Sequence, residues 1–257
     1  MFRQLRILIL LGVLLVVSLN AMFSKIRTTD WDAPLWVIVY PVNADGRADT
    51  QRYVEMLKES DFDDIENFFS KESKRYQVAL NNPVQVMLAP QLESQPPEPP
   101  KNSSILDSVL WSLHMRYWSW QQDSWDGPDP DIKIYMSLYS PDNQQSLRHS
   151  LGLQKGLIGL VNGYAEKEYQ GQNNLIAAHE LLHTLGASDK YDPATSWPIW
   201  PNGYAEPTKE PLLPQTYAEI MGGRVQVSPS TALVPPSLDH VVVGPATAIE
   251  VNWLSGE

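Results

Sequence analysis

The sequence contains no cysteine, so neither disulfides nor thiolate metal ligands are available to it. A metal site in this chain must therefore be built from histidine, aspartate or glutamate side chains. Only five histidines occur among the 257 residues, which leaves few ways to assemble such a site. The lack of cysteine fits a cytosol and a bacterial periplasm equally well.

Basic residues are scarce, because 19 Lys and Arg stand against 30 Asp and Glu, giving a formal net charge of -11 at pH 7. Proteins that bind nucleic acids present clustered Lys and Arg to the phosphates. We therefore expect no nucleic-acid partner. With 43% hydrophobic and 19% charged residues, the chain can bury one sizeable core and is not a disordered protein.

A long apolar run begins soon after the N-terminus, where Arg3 and Arg6 precede the apolar residues 7–23. This run is about the minimum length that crosses a bilayer, and it matches a signal-peptidase cleavage site poorly. We therefore predict an uncleaved signal anchor, a transmembrane helix within residues 1–27, over a removed signal peptide or a buried N-terminal helix. The two arginines would hold the N-terminus in the cytoplasm, with residues 28–257 as one domain outside it.

The eleven residues from 179 to 189 carry the clearest chemical pattern in the chain. His179 and His183 are four residues apart, so on a helix their imidazoles lie on the same face and can bind one metal ion. Glu180 projects beside them, where it can take a proton from a zinc-activated water. Catalytic zinc usually has three protein ligands. Gly186 permits the left-handed turn that ends a helix, and this turn would bring Asp189 to the metal as the third ligand.

Residues 28–257 show no internal repeat and alternate between strand-like and helix-like patterns. Apolar runs predict strands at 35–40, 83–88, 132–139 and 157–164. Capping residues and apolar spacing predict helices near 49–58, 60–76, 104–122, 175–185 and 245–254. Proline-rich stretches at 95–100 and 193–214 predict irregular surface segments, and the second would suit the wall of a substrate cleft.

Other residues could complete the site or form a second one. Asp192 and Glu219 are alternative third ligands to the zinc. A loop containing glycine and proline could bind calcium through its aspartates, although a solvated turn is the default for such a loop. These aspartates are Asp123, Asp126, Asp129 and Asp131. The remaining histidines, His114, His149 and His240, are expected to be structural or exposed.

Residues 179–189 resemble the metzincin form of the zinc-peptidase motif, with aspartate as third ligand as in the snapalysin-like branch. Residue by residue, this resemblance implies zinc ligands at His179, His183 and Asp189. It also implies a general base at Glu180 and the helix-ending turn at Gly186. Strong similarity covers only residues 179–192 and 217–223.

Met221, in the sequence Glu-Ile-Met-Gly, matches the methionine of the tight turn beneath the zinc in metzincins. The family often has a tyrosine two residues after this methionine, where it can support the oxyanion, but this sequence has Gly223 there. Tyr217 or Tyr191 could take the role from another direction.

The order of the predicted elements is also similar to the metzincin fold. The resemblance implies an α+β class: a zincin-like domain with a mixed twisted sheet packed on helices, a buried active-site helix and the transmembrane helix in front. The implied function is a membrane-anchored zinc endopeptidase that acts on proteins or peptides outside the cytoplasm. Two alternatives stay open, an anchored zinc-binding or assembly module without activity, and a zinc hydrolase of non-protein amides.

Overall fold

The fold is built on a five-stranded sheet with the strand order β2-β1-β3-β5-β4. The computed structural model describes residues 27–100, 104–143 and 147–255, together with seven positions between 4 and 15. Four strands run parallel, and β4 pairs antiparallel with β5 at one edge. The α+β class and the mixed sheet predicted from the sequence are confirmed. The strands are β1 Leu35–Asn43, β2 Val84–Leu88, β3 Ile132–Tyr139, β4 Leu151–Leu153 and β5 Ile158–Tyr164.

Strand β1 lies between β2 and β3 and is buried on both faces, as its continuous apolar run predicts. It continues through Pro41 to Asn43, two residues beyond the proline that was expected to end it. Proline lacks a backbone N–H, so a strand tolerates it only where no neighbouring strand would accept a hydrogen bond from that position. Pro41 lies past the end of β2, whose last residue pairs with Val39, so no ladder bond is lost there.

Helices cover both faces of the sheet. One face packs against helices α1 Ala48–Met56, α2 Asp63–Arg75 and α4 Gln170–Leu185. The other face packs against α3 Ile105–Gln121, through Met115 and Trp118. A short helix, α5 Pro245–Glu250, ends the described chain and is four residues shorter than predicted. Each face of the sheet therefore has a separate hydrophobic core.

Helix α4 is the buried helix that carries the histidine motif. Ala177, Ala178, Leu181 and Leu182 are fully buried, so the helix lies in the centre of the larger core, as its apolar circumference predicts. The edge strand β4 lies directly against it. A Cβ added at Gly152 would lie 2.4 Å from the Cβ of His183, so only glycine allows this approach.

The segment between α4 and α5 contains six very short strands that the sequence did not predict. They pair as β6 Tyr191–Asp192 with β7 Trp197–Pro198, β8 Ala218–Glu219 with β11 Val241–Val242, and β9 Val225–Ser228 with β10 Thr231–Leu233. Most of residues 193–214 form turns and irregular backbone, as their prolines predict.

The predicted transmembrane helix, and with it the single-pass localisation, is contradicted. No helix among the described residues has the length and apolar character that a membrane crossing requires. Crossing a bilayer takes about 20 apolar residues in one helix. The longest described helix, α3, has only 17 residues. Most of residues 1–26 lie outside the part of the chain that the structure describes.

Candidate active site

The last two turns of α4 present His179, Glu180 and His183. The helix ends at Gly186, whose φ of 110° lies in the left-handed region that glycine adopts readily. The backbone N–H of Ala187 then donates to the carbonyl of Leu182, which closes the helix end. This turn sends the chain back along the helix and places Asp189 beside both histidines.

Asp189 lies between the two imidazoles. Its Oδ1 atom is 3.3 Å from Nε2 of His179 and 3.1 Å from Nε2 of His183. The two rings are nearly perpendicular, with centroids 4.7 Å apart. All three donor atoms lie within 4.8 Å of one another. The structure therefore brings together the three residues predicted as metal ligands, and their binding of an ion stays a prediction.

The other ring nitrogen of each histidine contacts a backbone carbonyl. Nδ1 of His179 lies 2.9 Å from the carbonyl oxygen of Ile220, and Nδ1 of His183 lies 2.8 Å from that of Ala187. A carbonyl oxygen can only accept a hydrogen bond, so each Nδ1 carries a proton and donates it. Nε2 is therefore the nitrogen left to bind a metal ion, through the lone pair that a neutral ring carries there.

The site couples four titratable groups, two carboxylates and two imidazoles. Burial alone would raise the pKa of Asp189, but the two imidazoles outweigh burial and hold that pKa well below its usual range. Burial lowers the pKa of His183, yet the hydrogen bond to Asp189 and the charge of Glu180 raise it more. Burial also raises the pKa of Glu180, despite the nearby imidazoles. Two carboxylates and two imidazoles therefore lie close together, and their charges oppose the effect of burial.

Glu180 is 5% exposed, and its Oε2 atom is buried without a hydrogen-bond partner among the described residues. Buried polar atoms are nearly always satisfied, so this oxygen needs a partner from outside the described residues. A water or substrate atom next to the two imidazoles would supply the missing partner.

The alternative third ligands are placed elsewhere. Glu219 is fully buried, and its carboxylate accepts hydrogen bonds from the N–H groups of Gly222 and Gly244 and from Oγ1 of Thr247, at 2.7 to 3.0 Å. Asp192 is exposed and accepts a hydrogen bond from the N–H of Ala194 at 2.7 Å. Neither carboxylate belongs to the group that could hold a metal ion.

Met221 is fully buried in a tight turn beside the site helix. The N–H groups of Gly222 and Gly223 donate to the carbonyl of Glu219 at 2.9 and 3.0 Å, which closes the turn. The same turn supplies the Ile220 carbonyl that fixes His179. The turn predicted at Met221 therefore lies next to the candidate site, and it orients a ring through the backbone.

Of the two candidate tyrosines, Tyr191 lies at the site. It lines the same cleft as His179 and Glu180, and its ring lies 3.8 Å from where a Cβ on Gly223 would be. Burial and the charge of Asp189 raise the pKa of Tyr191 to about 12, so its hydroxyl keeps its proton at neutral pH. Tyr217 is 40% exposed and does not line the cleft.

The cleft has a volume of about 370 Å³ and runs along α4. Its floor holds His179 and Glu180, and its walls include Ile176, Val234 and the segment 147–150 that leads into β4. Most of its lining residues are polar, and of the four site residues it is lined by His179 and Glu180 but not by His183 or Asp189. Clefts of this size can hold a small ligand or part of a larger one.

Two of the four aspartates in the candidate calcium loop bond to other residues of the protein, and the other two, Asp126 and Asp129, are exposed. Asp123 accepts hydrogen bonds from the hydroxyl of Tyr40 and from Lys133. Asp131 accepts from the N–H of Trp36 at 2.9 Å and pairs with Arg27 at 3.1 Å. His114 and His149 are exposed, and Nδ1 of His240 contacts the hydroxyl of Ser237. In the described part of the chain, only His179, His183 and Asp189 form a group suited to a metal.

One contributor to the site has no signal in the sequence. Glu250, on α5, accepts hydrogen bonds from the N–H and hydroxyl of Ser188 at 3.0 and 2.6 Å, and from Nζ of Lys190 at 2.6 Å. It therefore holds both neighbours of Asp189. Lys190 is itself tied by its N–H to the carbonyl of Met221 at 2.8 Å. Glu250 lies about 60 residues beyond the motif, and only the fold brings it there.

A scan against protein-family models finds no match, and a search of curated proteins finds no similar sequence. The comparisons therefore assign no family to the chain.

Proposed function

We propose that the protein is a zinc-dependent endopeptidase in which Glu180 is the general base. One observation carries the proposal: Nε2 of His179, Nε2 of His183 and Oδ1 of Asp189 converge beside a glutamate whose Oε2 atom has no described partner. The resemblance of residues 179–189 to the metzincin motif supports the same assignment.

The residues present fit a zinc ion. Two imidazoles held by carbonyls at Nδ1, with a carboxylate as the third donor, make a nitrogen and oxygen set typical of catalytic zinc with an open position. The donor set alone would also suit iron(II). Glu180 favours zinc, because a base beside the ligands serves hydrolysis and has no role as a ligand.

Zinc would supply a Lewis acid that polarises the scissile carbonyl and acidifies a water molecule. Glu180 accepts a proton from that water as the water oxygen adds to the carbonyl carbon. Glu180 then passes the proton to the amide nitrogen as the C–N bond breaks, which gives a carboxylate and an amine. Tyr191 lines the same cleft and its hydroxyl bonds to Asp189, so it is the nearest candidate to donate a hydrogen bond to the carbonyl oxygen as negative charge develops there.

Glu180→Gln tests this mechanism, because it keeps the shape of the side chain and removes the base. In the purified full chain loaded with zinc, we expect kcat/KM on an unstructured protein substrate to fall by at least about 100-fold. Bound zinc, measured by mass spectrometry of the metal, should stay at the wild-type level.

Glu168→Gln is the matched control, since Glu168 is exposed and does not line the cleft. It should retain wild-type activity. Equal activity of wild type and Glu180→Gln would rule out the mechanism. Stoichiometric zinc without cleavage of any peptide library would favour a module without activity, and cleavage of cell-wall fragments alone would favour a hydrolase of non-protein amides.

A further inference from the structure

The outward face of α3 carries a continuous stripe of apolar side chains. Each is between 50% and 72% exposed. The spacing follows the helix period, so the side chains form one band along the helix axis. This outer stripe consists of Leu106, Val109, Leu110, Leu113, Tyr117 and Trp120.

The opposite face of α3 packs against the sheet. Met115, Trp118 and Ser119 are buried against the sheet, and the hydroxyl of Ser119 lies 2.7 Å from that of Tyr135. The helix is therefore apolar around most of its circumference, a pattern typical of a helix covered on both sides. Single exposed apolar residues are common, but a continuous exposed band marks an interaction surface.

The area and chemistry of the outer stripe fit a second copy of this chain. Its six side chains expose an apolar area on the order of 700 Å², close to the roughly 800 Å² that each partner buries in a standard interface. The stripe itself contains no charged residue, since Asp107 and Arg116, the charged residues of α3, lie off it. Tyr117 and Trp120, with ring centroids 6.0 Å apart, are residue types enriched in interface cores.

We propose that the protein forms a homodimer in which the outer stripes of two α3 helices pair across a twofold axis. An apolar band can be complementary to itself, as a twofold interface requires. Helix α3 and helix α4 lie on opposite faces of the sheet, so the dimer leaves both clefts open. Leu10 and Leu15, near the N-terminus, are themselves more than half exposed.

Sedimentation of the full chain at micromolar concentration tests the proposal. We expect twice the mass of one chain for the wild type. The double variant Leu110→Glu with Leu113→Glu places charges in the middle of the stripe, and its dimer dissociation constant should rise by at least about 100-fold. Met56→Glu, at an equally exposed apolar position on α1, is the control and should stay dimeric.

Cross-linking tests the same interface without the double variant, in case that variant does not fold. The chain has no cysteine, so Leu113→Cys introduces one thiol at the centre of the stripe. Mild oxidation should give a disulfide-linked dimer of Leu113→Cys and little of Met56→Cys. A wild-type mass of one chain would overturn the proposal. A dimer that the double variant leaves intact would also overturn it, because the apolar residues 7–17 or another surface would then hold the two copies.

Discussion

Asp189 is held in place by its neighbours in sequence. The side chains of Ser188 and Lys190 both bond to Glu250, and Lys190 also bonds to the Met221 turn through its backbone. The carboxylate of Asp189 is therefore presented by a short segment fixed at both ends. Partners of this kind set the orientation of a ligand, and their loss commonly reduces metal affinity.

Glu250→Ala should weaken zinc binding by about 10- to 100-fold, because Ser188 and Lys190 lose their shared acceptor and Asp189 becomes free to move. A titration with a competing chelator measures the affinity. Circular dichroism would establish that the variant is folded, and Glu168→Ala serves as the control. If a folded Glu250→Ala protein bound zinc as tightly as the wild type, the contacts of Glu250 with Ser188 and Lys190 would have no part in metal binding.

The two histidines, Glu180 and Asp189 could be predicted from the sequence because the geometry that brings them together is local. Two histidines four residues apart on a helix share a face, and a glycine three residues after His183 ends the helix. The partners that orient these residues could not be predicted. The Ile220 carbonyl and Glu250 lie about 40 to 70 residues from His179, and no periodicity encodes contacts over such separations.

At the level of elements, the strands and helices with strong patterns lie close to their predicted positions. β3 matches its prediction at both ends, and α2 and α3 match within a few residues. Strands of two or three residues were missed because tertiary pairing, and not a pattern along the chain, decides them. The anchor prediction is contradicted, since no helix among the described residues is long and apolar enough to cross a bilayer.

The edge strand β4 was not predicted from the sequence. It is important for the site because it packs directly against α4, the helix that carries the two histidines. A Cβ at Gly152 would also lie 2.5 Å from the carbonyl oxygen of Glu180. Gly152→Ala should therefore force β4 and α4 apart and lower the free energy of unfolding by about 2 kcal/mol. Urea denaturation measures the change.

Gly12→Ala is the matched control, because a Cβ at Gly12 meets no described atom within 4 Å. It should leave the unfolding free energy within about 0.5 kcal/mol of wild type. If Gly152→Ala were equally neutral, β4 would not pack on α4 as closely as described.

At the scale of the whole molecule, the two faces of the sheet pack against different helices. One face buries α4 in the larger core, and the site at its end opens into the cleft. The other face packs against α3, whose outer stripe is exposed and is the surface we propose for the dimer. Helix positions were predictable from spacing, but which side of α3 faces the sheet was not, because both of its sides are apolar.

The position of bound zinc in crystals of the full chain tests the central claim most directly. We expect anomalous scattering at the zinc absorption edge from one ion per chain. Its protein ligands should be Nε2 of His179, Nε2 of His183 and a carboxylate oxygen of Asp189. An ion held by other residues, or zinc-soaked crystals with no ion at this site, would contradict the account.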